Sequence, residues 1–241
     1  ARAQHRAAWK IRRDLFRCRQ CRAEASVTAG TILHRTRIPL QHWFWAAHLM
    51  TTLTPGISAL QLQRQIGLGS YRTALSMCRR LRRAMVNPMR DPLQGVIEVD
   101  EAFVGGRRRK EPGGRGVSEP IVAVAVENRG DHTGRIRLEI VPDASRRSLH
   151  AFIRKHVAPG AKVNTDAWQG YRGLENLGYR HDPQVQGHET RAGIILPWVH
   201  RVISNLKTWL KGTHHGRVDR EHLQSYLDEF TFRYNRRLSR E

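Results

Sequence analysis

The sequence predicts an α/β protein, in which a mixed sheet with helices is preceded by a smaller and mostly helical segment. Two observations predict this division. Residues 37–92 carry helical periodicity, whereas short apolar segments with the alternation of strands recur after Pro92. The chain has 241 residues, of which 39% are hydrophobic, so it can form one core domain with a smaller appendage.

The first segment, residues 1–36, is rich in Arg and contains one Cys-x-x-Cys pair, Cys18 and Cys21. A structural Zn²⁺ site needs four ligands, and this pair would supply two of them. No Cys precedes Cys18, so the second pair either lies upstream of Ala1 or is lost. Residues 26–36 have the β-branched and Gly content of a short hairpin. The three cysteines of the chain make no disulfide framework, which favours a reducing compartment.

The second segment contains two predicted helices between residues 58 and 85, separated by a glycine turn at residues 67–69, and it ends in a Pro-containing linker at 87–92. The second helix has apolar residues on one face and Arg on the other. This arrangement is typical of a helix-turn-helix, although two ordinary packed helices with a solvated Arg face remain the alternative. The helix-turn-helix interpretation predicts DNA contacts from five arginines: Arg72, Arg79, Arg80, Arg82 and Arg83.

The charge balance favours a nucleic-acid partner. Forty-two Lys and Arg oppose 21 Asp and Glu, for a formal net charge of +21. Such an excess favours polyanions through phosphate neutralisation and counterion release, but it does not separate DNA from RNA, or a binder from an enzyme. No stretch has the length of a membrane span or the apolar run of a signal peptide, so we expect no membrane partner and a cytoplasmic, nucleoid-associated protein.

The third segment, residues 93–241, has the order of a ribonuclease-H-like fold: a three-strand meander, a helix, and a fourth, parallel strand, followed by later helices. A basic loop is predicted at 105–118, between the first two strands. The strands are predicted at 95–104, 121–126, 135–141 and 162–166, and the helices at 144–157, 170–177, 197–210 and from Asp219 to about Arg236. The predicted domains are therefore residues 1–36, 37–92 and 93–241.

Asp100 and Asp166 are the candidate catalytic carboxylates. Asp100 lies near the end of the first core strand and Asp166 ends the fourth, and these strands are neighbours in the predicted topology. Two converging carboxylates can bind Mg²⁺ through hard oxygen ligands, and such metals can activate an attacking oxygen in phosphodiester chemistry. The alternative is that each Asp simply ends a strand. Strand alternation turns Glu101 to the opposite face, where we expect a structural role.

The helix that begins at Pro197 is expected to supply a third metal ligand. His200 and Lys207 lie seven positions, or two helical turns, apart and share a face, whereas Asn205 points away. This geometry favours His200 as the ligand and Lys207 as a phosphate contact. The alternative is an ordinary surface or core histidine. Because imidazole is softer than a carboxylate, Mn²⁺ could serve better than Mg²⁺.

Two other features have less definite interpretations. Trp168, beside Asp166, can stack on a flipped base or pack below the site, and packing is the favoured interpretation. The pair His214 and His215 is expected in a loop without a chemical role.

Five stretches of the sequence resemble bacterial insertion-sequence transposases of the DDE superfamily. Four resemble the catalytic core: VIEVDEAFVGG, KVNTDAWQGY, LPWVHRVISNLKTWLKGTHHG and HLQSYLDEFTFRYNRR. The fifth, CRQCRAEASVTAGTILHRTRIPLQHWFWAAHLM, resembles the second half of the N-terminal zinc ribbon that one group of these enzymes carries, and the helix after it. Together these motifs span nearly the whole chain.

The resemblance implies a role for each matching residue. Asp100 matches the first catalytic Asp and Asp166 the second. The third position, Glu in many relatives, falls on His200, seven before the matching Lys207, with Asn205 and Glu229 as weaker candidates. The cofactor implied is Mg²⁺ or Mn²⁺, with Zn²⁺ in a ribbon that is incomplete here. The partners implied are the transposon ends and target DNA, on which we expect at least a dimer.

The sequence thus predicts a transposase that recognises terminal inverted repeats through residues 1–86 and cleaves and joins DNA with its core. One alternative is a domesticated or inactive transposase that only binds DNA. Another is a ribonuclease-H-like nuclease acting on RNA or on DNA junctions.

Overall fold

The computed structural model describes residues 8–12, 15–104, 119–185, 195–214, 218 and 220–237.

A small antiparallel sheet begins the fold. The first three strands pair in the order β1-β2-β3. They are β1 (Ala8–Arg12), β2 (Leu15–Cys18) and β3 (Glu24–Ser26).

The hairpin predicted for residues 26–36 was wrong, since consecutive turns follow β3. Local side-chain bonds explain the difference. Thr31 Oγ1 donates to the carbonyl of Thr28 at 2.7 Å and accepts from the backbone N–H of Leu33 at 3.1 Å. Such bonds give the backbone an alternative to a strand ladder.

Three helices form the second segment around a core of their own. They are α1 (Leu40–Thr52), α2 (Ala59–Ile66) and α3 (Tyr71–Ala84). The Ser58 side chain caps α2 by accepting from Gln61 N at 3.2 Å. Gly67 ends the helix in the left-handed region, at a φ of +68°, where glycine is favoured. The two predicted helices and their glycine turn are confirmed, while their role in DNA binding stays a prediction.

A five-stranded mixed sheet with the order β6-β5-β4-β7-β8 forms the core of the third segment. Its first three strands in sequence run antiparallel, and β7 lies parallel to β4. Its strands are β4 (Val96–Phe103), β5 (Ile121–Asn128), β6 (Thr133–Val141), β7 (Lys162–Asp166) and β8 (Arg180–Gln184). The predicted meander and parallel crossover are confirmed. Strand β8 was not predicted, because this edge strand contains Pro183 and lacks apolar alternation.

Helices cover both faces of this sheet. One face packs against α4 (Arg146–His156), and the other against α5 (Pro197–His214) and α6 (Arg220–Asn235). Because side chains alternate along β4, Val99 packs on the face of the sheet that α4 covers, and Ala102 packs on the face that α5 covers. The sheet thus presents different residues of one strand to two separate cores.

Several finer predictions differ from the structure. Residues 169–171 and 175–177 form two short 3₁₀ turns instead of one helix. His214 belongs to α5 and not to a loop, because its ring packs against Trp209 and Tyr226, with ring centres 4.9 and 4.4 Å away. The predicted basic loop at 105–118, His215 and the predicted cap Asp219 lie outside the described residues. No helix in the described ranges is long and apolar enough to cross a bilayer.

Candidate active site

Asp100 and Asp166 lie at the carboxyl ends of neighbouring parallel strands. The register of β4 and β7 pairs Glu98 with Asn164, and each Asp follows its paired residue by two positions. Residues two apart in a strand point to the same face, and adjacent strands are separated by roughly 4.8 Å. The structure therefore brings the two predicted carboxylates to one edge of the sheet.

The electrostatics of Asp100 reflect this neighbourhood. Burial raises the pKa of Asp100 above its ordinary value, and the Asp166 carboxylate raises it further. The backbone N–H of Glu101, which donates to Asp100 Oδ1 at 2.8 Å, lowers the pKa, as do His200 and Lys207. Burial outweighs these groups. A cation between the carboxylates would favour their ionised forms, so this donor set fits a hard divalent metal.

His200 and Lys207 both approach Asp100 from α5. His200 Nδ1 lies 3.7 Å from Asp100 Oδ2, and the His200 side chain is 41% exposed. Lys207 is exposed on the same helix and close enough to lower the pKa of Asp100. Both residues thus lie near Asp100, although within the described ranges no three His, Cys, Asp or Glu side chains form a ready-made metal cluster.

Glu98 anchors the helix that carries His200. This residue is 1% exposed, and its Oε2 accepts from the backbone N–H groups of Trp198 and Val199, each at 2.9 Å. Its Oε1 accepts from the Asn128 amide at 2.9 Å. A carboxylate at a helix N-terminus satisfies N–H groups that have no partner within the helix and complements the helix dipole. Glu98 therefore fixes the first turn of α5 against β4, where His200 meets Asp100.

The role of Glu98 was not predicted from the sequence. The only signal was an acidic residue inside an apolar strand segment, two positions before Asp100. The backbone N–H groups that compensate for burial of the Glu98 carboxylate lie about 100 residues further along the chain.

Glu101 lies on the opposite face, as strand alternation predicted. It accepts a hydrogen bond from the hydroxyl of Tyr171, a fully buried side chain that packs beneath the α4 side of the sheet. Burial raises the pKa of Glu101 to about 7, the Tyr171 bond opposes this, and Asp100 and Asp166 add to it. The hydrogen bond between Tyr171 and Glu101 therefore joins β4, the strand of Asp100, to the segment that follows Asp166.

The segment after Asp166 is held by Trp168. The backbone N–H of Trp168 donates to Asp166 Oδ1 at 3.1 Å, and the Trp168 indole Nε1–H donates to the carbonyl of Ala144 at 2.9 Å. The Trp168 residue is 42% exposed, so the interpretation of Trp168 as a packing residue accounts for only part of its surface.

The arginines of α3 divide into two groups. Arg72, Arg79 and Arg83 are exposed and Arg80 is half-buried. Arg80 and Arg83 line a cleft of about 470 Å³ together with residues 30–32 and His34. Arg80 also donates to the carbonyl of Ile32 at 3.3 Å, which joins α3 to the turns after β3. We refer to this surface as the basic cleft.

The prediction that Arg82 contacts DNA was wrong. Arg82 is 2% exposed, its Nε lies 2.7 Å from Glu229 Oε2, and its guanidinium stacks on Tyr226. Glu229 is itself fully buried in this pair, which makes it a link between α3 and α6 and not a third ligand beside Asp100.

Cys18 and Cys21 lie close in sequence at the end of β2. Cys18 is buried and accepts from Gln20 N at 3.4 Å, while Cys21 is exposed in the turn that follows. They offer two ligands where a structural zinc site needs four, so the described residues do not make a complete zinc site.

The sheet order, the helices on both faces and the carboxylates at adjacent strand ends define a ribonuclease-H-like core. Residues 92–235, more than half of the chain, match the family model described as the ISXO2-like transposase domain. The chain therefore belongs to this transposase family. A comparison with curated proteins found no match.

Solved structures with similarity to the chain include two Mos1 complexes. The Mos1 Strand Transfer Complex is 16% identical with a TM-score of 0.32, over 80% of this chain and 74% of that one. The Mos1 transposase paired-end complex with left transposon end is 16% identical with a TM-score of 0.33, over 80% and 75%.

Proposed function

We propose that this chain is a DDE-type transposase, which cleaves DNA at the ends of an insertion sequence and joins the freed ends to target DNA. Membership of the transposase family supports the reaction. The observation that carries the assignment of the site is the register of β4 and β7, which sets Asp100 beside Asp166.

Asp100 and Asp166 would hold the divalent cation, with His200 as the third ligand. The cation, when bound, supplies Lewis acidity for an attacking water or 3′-hydroxyl and for the leaving oxygen. The two carboxylates orient it at the sheet edge, and Glu98 keeps His200 against Asp100. Carboxylate oxygens favour Mg²⁺, whereas an imidazole ligand shifts the preference towards Mn²⁺.

Lys207 would contact the phosphate that reacts. Its ammonium lies on the face of α5 that approaches Asp100, where it can neutralise charge on a non-bridging oxygen. No covalent bond between enzyme and DNA is required, since both steps use oxygen nucleophiles from water or DNA.

The basic cleft and the exposed arginines of α3 would hold the transposon end. Arg72, Arg79, Arg80 and Arg83 fit phosphate contacts, which supply most of the non-specific affinity of a DNA-binding protein. The net charge of +21 supports the same partner. Pairing two ends requires at least a dimer on DNA, and in a bacterial host this role would place the protein at the nucleoid.

A strand-transfer assay tests the proposal, with duplexes that carry the terminal repeats of the element and either Mg²⁺ or Mn²⁺. We expect Asp100→Asn, Asp166→Asn and His200→Ala each to lower joining by more than about 100-fold, because loss of even outer-shell support for a metal ligand costs roughly 10–100-fold. Asp131→Asn, at an Asp whose side chain is 88% exposed, is the matched control and should leave joining unchanged.

Three outcomes would contradict parts of the proposal. Full activity of His200→Ala would remove His200 from the ligand set. DNA binding without cleavage under either metal would favour the inactive, DNA-binding alternative. Cleavage of RNA or of DNA junctions without joining would favour the nuclease.

A further inference from the structure

Trp168 has an unusual combination of exposure and immobility. It lies two positions after Asp166 and is 42% exposed. Its backbone N–H and its indole N–H are both bonded, to Asp166 Oδ1 and to the carbonyl of Ala144. A large flat ring is therefore held in one orientation beside a candidate metal ligand, with much of its surface towards solvent.

The absence of a side chain at Gly170 leaves the space in which the Trp168 ring reaches Ala144. A Cβ atom at Gly170 would lie 2.8 Å from Trp168 Nε1 and 2.6 Å from the carbonyl oxygen of Ala144. Both contacts are too short for a real side chain, so glycine at this position allows the indole to reach its acceptor. The bond that fixes the ring thus depends on the residue type two positions further on.

Exposed arginines, together with one exposed carboxylate, Asp143, lie close in sequence to Ala144 and Trp168. Arg146 and Arg147, in the first turn of α4, are exposed two and three positions after Ala144, which accepts the indole bond. Arg172 is exposed four positions after Trp168. An exposed aromatic ring with arginines nearby in the chain is a combination found in proteins that bind the bases and backbone of single-stranded nucleic acid.

We propose that the exposed face of Trp168 is a stacking site for the nucleobase next to the phosphate that reacts at the transposon end. This inference rests on the proposed function, because Asp166 must hold the metal that contacts that phosphate. A base next to that phosphate can leave the duplex stack, and a fixed indole offers it a new stacking partner. Because the ring is already oriented, little conformational freedom is lost when the base arrives.

Photo-crosslinking tests the contact without requiring catalysis. The probe is a duplex that carries the element's terminal repeat, with 5-iodouracil at the nucleotide flanking the cleavage site, bound to the full chain in Ca²⁺. We expect the crosslink to map to Trp168 by mass spectrometry. A crosslink that maps elsewhere, or is unaffected by Trp168→Ala, would overturn the proposal.

Joining assays with an abasic nucleotide at the same position separate stacking from a structural role. Trp168→Ala should lower joining of the intact end by about 5- to 150-fold, the range expected for loss of one base–aromatic stack, and Trp168→Phe should retain most of the activity. The abasic end should lower the wild-type rate to that of Trp168→Ala, with no further loss when both changes are combined. Additive losses would overturn the proposal.

Met89→Ala is the control, because Met89 is an apolar residue, 88% exposed in the linker at 87–92 and outside the segments assigned to DNA recognition or to the active site. It should leave both the crosslink and the joining rate unchanged. If Trp168→Ala fails to fold, the Trp168→Phe variant and the wild-type crosslink still decide the question. Failure of the proposed function looks different, since wild type would then join no ends in any metal, whatever the crosslink shows.

Discussion

Removal of the Glu98 carboxylate should disturb α5 and the site together. In Glu98→Ala, the backbone N–H groups of Trp198 and Val199 lose their charged acceptor in a buried position. Hydrogen bonds to charged groups contribute about 1.5–3 kcal/mol each. Burial of the carboxylate outweighs these bonds in its effect on the pKa of Glu98, which is raised. The loss is therefore counted from the two N–H groups that are left without an acceptor, at about 1–3 kcal/mol each, and we expect the free energy of unfolding to fall by about 3 kcal/mol.

A thermal melt followed by circular dichroism measures this loss. For a chain of this size, about 3 kcal/mol corresponds to a fall of roughly 6–12 °C in Tm. Joining activity well below the Tm should fall as well, because the first turn of α5 carries His200. Glu98→Gln should lose less of both, since the amide oxygen can still accept from the backbone N–H groups of Trp198 and Val199.

Asp131→Ala is the control, because the Asp131 side chain is 88% exposed and its ion-pair partner His132 is exposed as well. It should melt within about 1 °C of wild type, as surface substitutions usually do. A Glu98→Ala variant that matches this control in Tm and in activity would refute the reasoning.

Three further predictions concern stability, pH and DNA binding. Glu229→Ala leaves the buried Arg82 guanidinium without its counter-ion and should lower the free energy of unfolding, measured by urea denaturation, by about 3–5 kcal/mol. Replacement of both residues by Leu should lower it less. Equal stability of Glu229→Ala and wild type would contradict this prediction. Hydrogen bonds from His156 and Lys155 lower the pKa of Glu139 from 4.5 to about 2. The contribution of Glu139 to stability is therefore present above pH 4.5 and is lost as the pH falls towards 2. Glu139→Gln should flatten the dependence of the free energy of unfolding on pH in that window, and an unchanged dependence would argue against this role. Arg83→Ala should weaken DNA binding for all sequences and reduce the salt slope by about 1, and an unaltered slope would remove it from the interface.

The main strands and helices of the core could be predicted from the sequence because their apolar residues alternate or recur with clear periods. The strand of Asp100 is a mainly apolar, β-branched segment that follows Gly95, so it is readable as a strand without any knowledge of its neighbours. The convergence of Asp100 and Asp166 followed from the topology alone. By contrast, β8 carries Arg, His, Asp, Pro and Gln, and only its pairing with β7 makes it a strand.

Buried charges were the main source of error. Arg82 belongs to a helix rich in Arg, and the sequence gives no sign that one of them turns inward, since its partner lies 147 residues away. Glu98 likewise has its donors about 100 residues further on. A charge is buried only where a distant partner compensates for it, and such pairings depend on the tertiary fold.

The most direct test of the two-aspartate site is a switch in metal preference. A thiolate binds Mg²⁺ poorly and softer metals better, so Asp166→Cys should lose joining activity in Mg²⁺ and regain part of it in Mn²⁺. The ratio of the Mn²⁺ and Mg²⁺ rates should therefore rise well above that of wild type, while Asp131→Cys keeps the wild-type ratio. An Asp166→Cys variant that is active in Mg²⁺, or equally inactive in both metals, would contradict the assignment of Asp166 as a metal ligand.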